Sequence, residues 1–261
     1  REYLKIRNMA AVRDRLVWDI AQGKKVSDKI DDSKTGELFN PPTRFGEPRQ
    51  KYSENQEGGP KILPPDELIK SCTVPPGYEI KLFADETKFP EIAKPVQMSF
   101  DNKGRLWVST MPSYPLWKPG DPKPSDKLVI LEDTDGDGRT DQTTVFMEGL
   151  NIPSGIAVGH GGVWVANAPD LLFVQDTDGD GKADSQEVVV TGFGRDDTHE
   201  LPNSLTWGPD GWLYGLNGVF NPSHIRYGPS NPNFKADSEG WKFTCAMFRI
   251  HPATREFQVF C

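Results

Sequence analysis

The sequence predicts an all-β fold: a β-propeller of about three blades whose ring is incomplete, preceded by an N-terminal helix and an extended arm. Three observations carry this. A strand–turn–strand unit recurs about every 50 residues, each recurrence contains two such units, and 25 Gly and 23 Pro supply tight turns. An immunoglobulin-like sandwich would not repeat itself in this way.

In chain order, residues 3–21 read as a helix, because Leu4, Met9, Val12, Leu16, Val17 and Ile20 recur at helical spacing and Gly23 stops it. Residues 24–66 are polar and punctuated by Pro and Gly without periodicity, so they read as an extended arm or linker, or else a disordered tail. Residues 1–66 thus form one region and 67–261 the propeller, with blades at about 74–149, 150–194 and 195–261. "KPVQMSFDNKGRLWVST", "IPSGIAVGHGGVWVANA" and "LPNSLTWGPDGWLYGLNG" superimpose on Pro95, Pro153 and Pro202, which stand 58 and 49 residues apart. Each is followed by a second hairpin: "KLVILEDTDGDGRTDQTTVFMEG", "DLLFVQDTDGDGKADSQEVVVTG" and "CAMFRIHPATREFQVFC". Trp107, Trp164, Trp207 and Trp212 fall at repeat positions and read as blade-packing residues. The insertion at 219–244 reads as a lid over the central face or a packed surface loop. Three blades leave unpaired edges where a ring needs about four to eight. A second polypeptide or a further segment is therefore expected to complete it, and Arg1 suggests a processed chain or a fragment.

Composition narrows the function. Residues 1–66 hold 13 basic and 11 acidic side chains, while 67–261 hold 17 and 27. So acidic a body excludes nucleic acid and anionic membrane surfaces as partners. No apolar run reaches the roughly 20 residues of a membrane span. Cys72, Cys245 and Cys261 form neither a CxxC nor a CxxCH, so no zinc knuckle or covalent haem site is present, and at most one disulfide can form. G-x-S-x-G, the P-loop and H-E-x-x-H are absent as well.

The strongest motif is a repeated acidic loop. Asp133, Asp135 and Asp137 occupy positions 1, 3 and 5, Gly138 position 6, the Arg139 carbonyl position 7 and Asp141 position 9. Asp176, Asp178, Asp180, Gly181, Lys182 and Asp184 repeat this, and Glu187 adds position 12, where the first loop has Thr144. This is the D-x-D-x-D-G-x5-E pattern of a calcium loop, with hard oxygen donors only. The flanks are β runs rather than helices, so two structural Ca²⁺ sites at hairpin turns are expected, the alternative being solvated acidic turns. The third blade writes "HPATRE" at this place, which argues that the ion is architectural.

"VPPGYEIKLFADE", "KPVQMSFDNKGRLWV", "LEDTDGDGRTDQTTVFMEGL" and "WGPDGWLYGLNG" together resemble the propellers of Planctomycete-type (PVC-type) membrane-bound dehydrogenases, which are often fused to or partnered with c-type haem domains. More distantly, residues 73–261 are similar to quinoprotein sugar dehydrogenases and sorbosone dehydrogenases. The resemblance implies oxidation of a sugar or alcohol with pyrroloquinoline quinone, and electron transfer to a c-type cytochrome. It places haem c only on a partner or a further segment, and gives His199 the role of base with Arg195 and Asn203 beside it. The family's quinone-binding Arg and Lys residues come from later blades, and Val219 follows Asn217-Gly218 where the family commonly has Asp. From the residues alone, His199 either transfers protons or fixes an inter-blade loop, and His224 is a second candidate. The competing function is a non-catalytic, calcium-binding scaffold for protein or glycan. A lactonase-like hydrolase would need metal ligands on inner strands. Calcium and quinone chemistry imply a periplasmic or cell-surface location.

Overall fold

The computed structural model describes residues 2–27, 29–36, 63–115, 121, 122 and 124–261. It divides into two units, Arg1–Ile62 and Leu63–Cys261. In the first, α1 (Glu2–Ala21) ends at Gly23, whose φ of 73° only glycine adopts freely. Lys5 donates to Thr35 Oγ1 at 2.6 Å, and Arg13 grips both carboxylate oxygens of Asp32 at 2.9 Å. Of the arm expected at 24–66, residue 28 and residues 37–62 lie outside the described residues.

The second unit opens with α2 (Pro65–Ser71), which the sequence reading did not anticipate. Pro65 starts it, Asp66 and Glu67 face its positive end, and Lys70 lies in the last turn. Fourteen strands follow among the described residues, paired antiparallel. Blade 1 is β1 (Pro95–Phe100), β2 (Leu106–Thr110), β3 (Asp126–Glu132) and β4 (Gln142–Leu150), in that order. Blade 2 is β5 (Gly155–Gly159), β6 (Gly162–Asn167), β7 (Asp170–Gln175) and β8 (Ser185–Thr191). Blade 3 is β9 (Asn203–Trp207), β10 (Leu213–Asn217), β13 (Ala246–Ile250) and β14 (Phe257–Val259). The insertion folds into β11 (Ser223–Tyr227) and β12 (Trp241–Phe243), and β11 pairs with β8. It therefore widens the outer edge of blade 2 to six strands rather than forming a lid. His224 lies on β11, where Nε2 meets the Glu239 carbonyl at 2.5 Å.

First strands β1, β5 and β9 adjoin in sequence, as inner strands of a propeller do. At Gly155 the approach is so close that a Cβ would lie 3.2 Å from the Asn203 Cα. Apolar layers separate the blades. Trp107, Leu128, Ile130 and Phe146 pack on Ile156, Val163, Val165 and Leu172. The far side of blade 2, with Trp164, Leu171 and Phe173, packs on Leu205, Leu213, Phe248 and Phe257.

In an antiparallel meander the first-to-second and third-to-fourth connections fall at one end, and the second-to-third and fourth-to-next connections at the other. The acidic loops are third-to-fourth connections and lie on the lower rim. Residues 111–115, 124, 125, 151–154 and 192–202 lie on the upper rim. There Asp126, fully buried, accepts from Ser113 N at 2.9 Å, Ile152 N at 2.7 Å and the Ser113 hydroxyl, joining one blade's loop to the next blade's connector.

On the lower rim, Asp101 accepts from Arg105 Nε at 2.7 Å, Trp107 Nε1 at 3.0 Å and the Lys103 and Arg105 amides at 2.9 Å. Burial pushes this carboxyl up, but the Trp107, Arg105 and Lys103 bonds together outweigh it and hold it below the usual range. Its stabilisation is complete above an unfolded value of about 3.9 and fades as pH falls through the lower folded value. Asp101→Asn should melt earlier than wild type at pH 7, with the gap closing below about pH 4 in thermal melts.

Candidate active site and acidic loops

In the first acidic loop, Asp133 accepts from Gly136 N at 2.8 Å and Gly138 N at 2.9 Å, while Asp141 accepts from Thr134 N at 2.8 Å and Thr134 Oγ1 at 2.9 Å. The second loop repeats this: Asp176 with Gly179 N and Gly181 N at 2.6 and 2.9 Å, and Asp184 with Thr177 N and Oγ1 at 2.6 and 2.8 Å. Gly138 and Gly181 make the turn at φ 86° and 84°. Carboxylate oxygens of Asp133, Asp135 and Asp141 lie within 4.8 Å of one another, as do those of Asp176, Asp178 and Asp184. The Thr134 amide and then its hydroxyl hold Asp141 below the usual range, and Thr177 does the same for Asp184, so these groups stay ionised.

Asp137 and Asp180 lie outside the two clusters, where they accept from Arg139 N at 2.7 Å and Lys182 N at 2.8 Å. Glu187 is not brought to its loop either: it sits on β8 and accepts from Arg255 Nε of the third-blade turn at 3.0 Å. In that turn His251 Nδ1 accepts from Ala253 N and Thr254 N at 3.3 and 3.1 Å, doing for the backbone what Asp133 and Asp176 do in the acidic loops. Clustered oxygens with no nitrogen or sulfur fit Ca²⁺ rather than zinc or copper. The loop lysines and arginines, Arg139 and Lys182, stand where such a loop offers a backbone carbonyl.

On the upper rim, His199 lies in the connector between blades 2 and 3, its side chain 74% exposed. Asp197 Oδ1 accepts from the His199 amide at 2.8 Å and sits 3.0 Å from Nδ1. The His199 amide and then its imidazole hold Asp197 below the usual carboxylate range. An ionised acceptor at Nδ1 fixes the neutral ring as the Nδ1–H tautomer and leaves Nε2 as acceptor. Nε2 meets the Tyr114 hydroxyl at 2.6 Å, so the phenol donates. Asn221 pins this connector, accepting from Asp197 N at 2.9 Å and donating to Asp197 O at 2.8 Å.

The other expected site residues divide. Asn203 begins β9, donates to Leu201 O at 2.8 Å, and lines one cleft with His199, Glu200, Leu216 and Met247. Arg195 is outside that lining: it donates to Ala168 O at 2.5 Å and to Asn151 Oδ1, and burial pushes its guanidinium down. Sequence reasoning missed Asp197 and Tyr114. The i, i+2 spacing of Asp197 and His199 could have pointed to the first. Tyr114 is 85 residues away and carried no local signal. Cys72, Cys245 and Cys261 are free and exposed. No helix among the described residues is long and apolar enough to cross a membrane.

The family model described as "Domain of unknown function (DUF7133)" matches residues 64–261, and the chain belongs to this family. No curated protein matches. Two solved structures of a Trichoderma reesei carbohydrate-active enzyme of family AA12, the iodide and the calcium structure, are similar at 15% and 17% identity with TM-scores of 0.40 and 0.39. These matches cover 62% and 58% of this chain, and the chain spans only 37% and 40% of those proteins.

Asp197→Asn should release the His199 tautomer. Long-range nitrogen–proton NMR on labelled protein should show one Nδ1–H form in wild type and a mixture in the variant; an unchanged single form would mean that Asp197 does not set it.

Proposed function

We propose that this DUF7133-family chain is the calcium-stiffened part of a propeller oxidoreductase acting on a sugar or alcohol, with His199 as the base. The observation that carries this is an exposed imidazole, held at Nδ1 by ionised Asp197, on the rim where the blade 1 loop bearing Tyr114 meets the connector between blades 2 and 3. Such a ring offers Nε2 to a substrate hydroxyl and shares the acquired charge with Asp197. Tyr114 would then give up its bond to Nε2 when substrate binds, or stay as a hydrogen-bonding neighbour.

A bound quinone would accept the two electrons of the oxidation. The cleft beside His199 does not fit that anionic group by itself: its described lining carries the carboxylate of Glu200 and no Lys or Arg. Any cofactor site would have to be built mainly from residues outside these three blades, by a second polypeptide or a further segment that completes the ring. A c-type cytochrome as electron acceptor and a periplasmic or cell-surface setting belong to the same reading. Calcium would be held by Asp133, Asp135 and Asp141, and by Asp176, Asp178 and Asp184, with charge neutralisation of the lower-rim turns as its role.

One observation favours the second reading, a non-catalytic scaffold for protein or glycan: Tyr114 already occupies Nε2, as expected of a histidine that bridges blades. The test is dye-linked oxidation of a panel of aldoses and primary alcohols by native protein, with quinone sought by extraction, absorbance and mass. The oxidoreductase reading expects His199→Ala to lose at least about 100-fold in kcat with an unchanged melting temperature. No turnover with any substrate, together with matched losses of stability in His199→Asn and Tyr114→Phe, would establish the bridge instead.

Calcium makes its own prediction. Titration calorimetry should find two ions per chain, with Asp133→Ala and Asp176→Ala each removing one. At about 2 mM calcium and dissociation constants of about 0.1–1 mM, each site stabilises by about 0.6–1.8 kcal/mol. Chelation should therefore lower the melting temperature by several degrees.

A further inference from the structure

The interface between blades 1 and 2 has a fixed pattern. Ala183 N, in the second acidic loop, donates to Phe146 O on β4 at 2.9 Å. A Cβ on Gly181 would lie 3.3 Å from Thr144 Cγ2, two residues earlier on the same strand. At the end of β4, buried Leu150 leads to Ile152, at φ 52°, and then Pro153.

The same pattern occurs on the other side of blade 1. Thr140 N, in the first acidic loop, donates to Phe83 O at 2.8 Å. A Cβ on Gly138 would lie 3.2 Å from Lys81 Cδ. Buried Ile92 leads to Lys94, at φ 53°, and then Pro95. Phe83, Phe89 and Ile92 cover Val108, Val129 and Leu131, the face of blade 1 turned away from blade 2. At the third interface Val189 O on β8 accepts instead from the insertion, from Asn231 Nδ2 at 2.8 Å and Gly228 N at 3.1 Å. Phe83 and Phe146 thus occupy one structural position, and Phe146 belongs to the fourth strand of a blade.

Residues 79–84 differ from β4 and β8 in one respect. β4 pairs with β3 and β8 with β7, but 79–84 pair with no described strand. Ile80 and Tyr78, alternating with the side chains that meet blade 1, are 43% and 74% exposed.

We infer that residues 79–84 are the outermost strand of a further blade lying against blade 1, and that their free edge takes the third strand of that blade by antiparallel β-addition. The chemistry of the edge defines the partner: an extended strand with alternating apolar side chains, one of a three-stranded meander. A second copy of these three blades does not meet the description, because blade 3 already has its own fourth strand, β14. The repeat pattern places 79–84 in the first blade, about 74–149; on this inference they abut blade 1 and belong to the sheet on its other side. The inference rests on the reading that a further segment or polypeptide completes the ring, and is independent of any role for His199.

The test is hydrogen exchange with mass spectrometry on protein purified without denaturant from its source cells, with the masses of all co-purifying polypeptides recorded. The expected result is protection of peptides spanning 79–84 to within about ten-fold of those spanning β4. The masses then say whether the meander is on the same polypeptide or a second one. Exchange at 79–84 at the rate of an open loop in this native material overturns the inference. A second measurement uses Leu82→Pro, which removes an amide and blocks pairing at a strand edge. It should abolish that protection and leave β4 protected; retained protection would also overturn the inference.

Discussion

The packing of one blade's apolar face against its neighbour carries the fold. A four-stranded sheet with two apolar faces is not stable alone, and here both faces of blade 2 are filled from the adjoining sheets. Trp164 and Phe248 are fully buried between blades 2 and 3, and Leu128 and Val163 between blades 1 and 2. An aromatic side chain removes about 150–250 Å² from water, and at about 25 cal/mol/Å² that is up to roughly 4–6 kcal/mol each. These contacts outweigh single surface bonds and set the spacing of the blades. The rim chemistry inherits that spacing: Tyr114 meets His199 only because blade 1 is held at the right distance from the connector after blade 2.

Much of this was legible in the sequence. The superimposed prolines located three sheets in order, because a repeat that buries the same faces must reuse the same residue pattern. Gly138 and Gly181 were legible for a local reason, the positive φ of a tight loop. What was not legible shares one cause. Residues 79–84 have strand composition, and composition does not say which sheet a segment joins, because that depends on its hydrogen-bonded neighbours. The hairpin of β11 and β12 looked like an irregular insertion because its strands are short and its partner, β8, lies more than 30 residues back. Position 12 of the second loop is acidic, yet on a strand that position faces the next blade, where Arg255 takes the carboxylate. Only Asp197, two residues from His199, could have been read locally.

The two ends of the strands have separate chemistry. The lower rim concentrates carboxylates in turns of fixed shape, and the upper rim holds an imidazole, a phenol and a guanidinium on longer connectors. Antiparallel geometry enforces the separation, since third-to-fourth turns and blade-to-blade connectors cannot share an end. An ion on the lower rim therefore has no direct access to a substrate at His199, and its influence there must pass through the packing between blades.

The acidic loops do not only close their own hairpins. Ala183 carries the loop backbone across to β4 of the preceding blade, and Thr140 does the same to the segment at Phe83, so each loop is also a joint to its neighbour. In a linear array of coupled units, the energy of the joint decides whether units open together or one at a time. A metal at such a joint adjusts the coupling constant rather than the intrinsic stability of any unit. Its loss would lower cooperativity first: the molecule would visit states with one blade ajar while the remaining sheets keep their internal ladders.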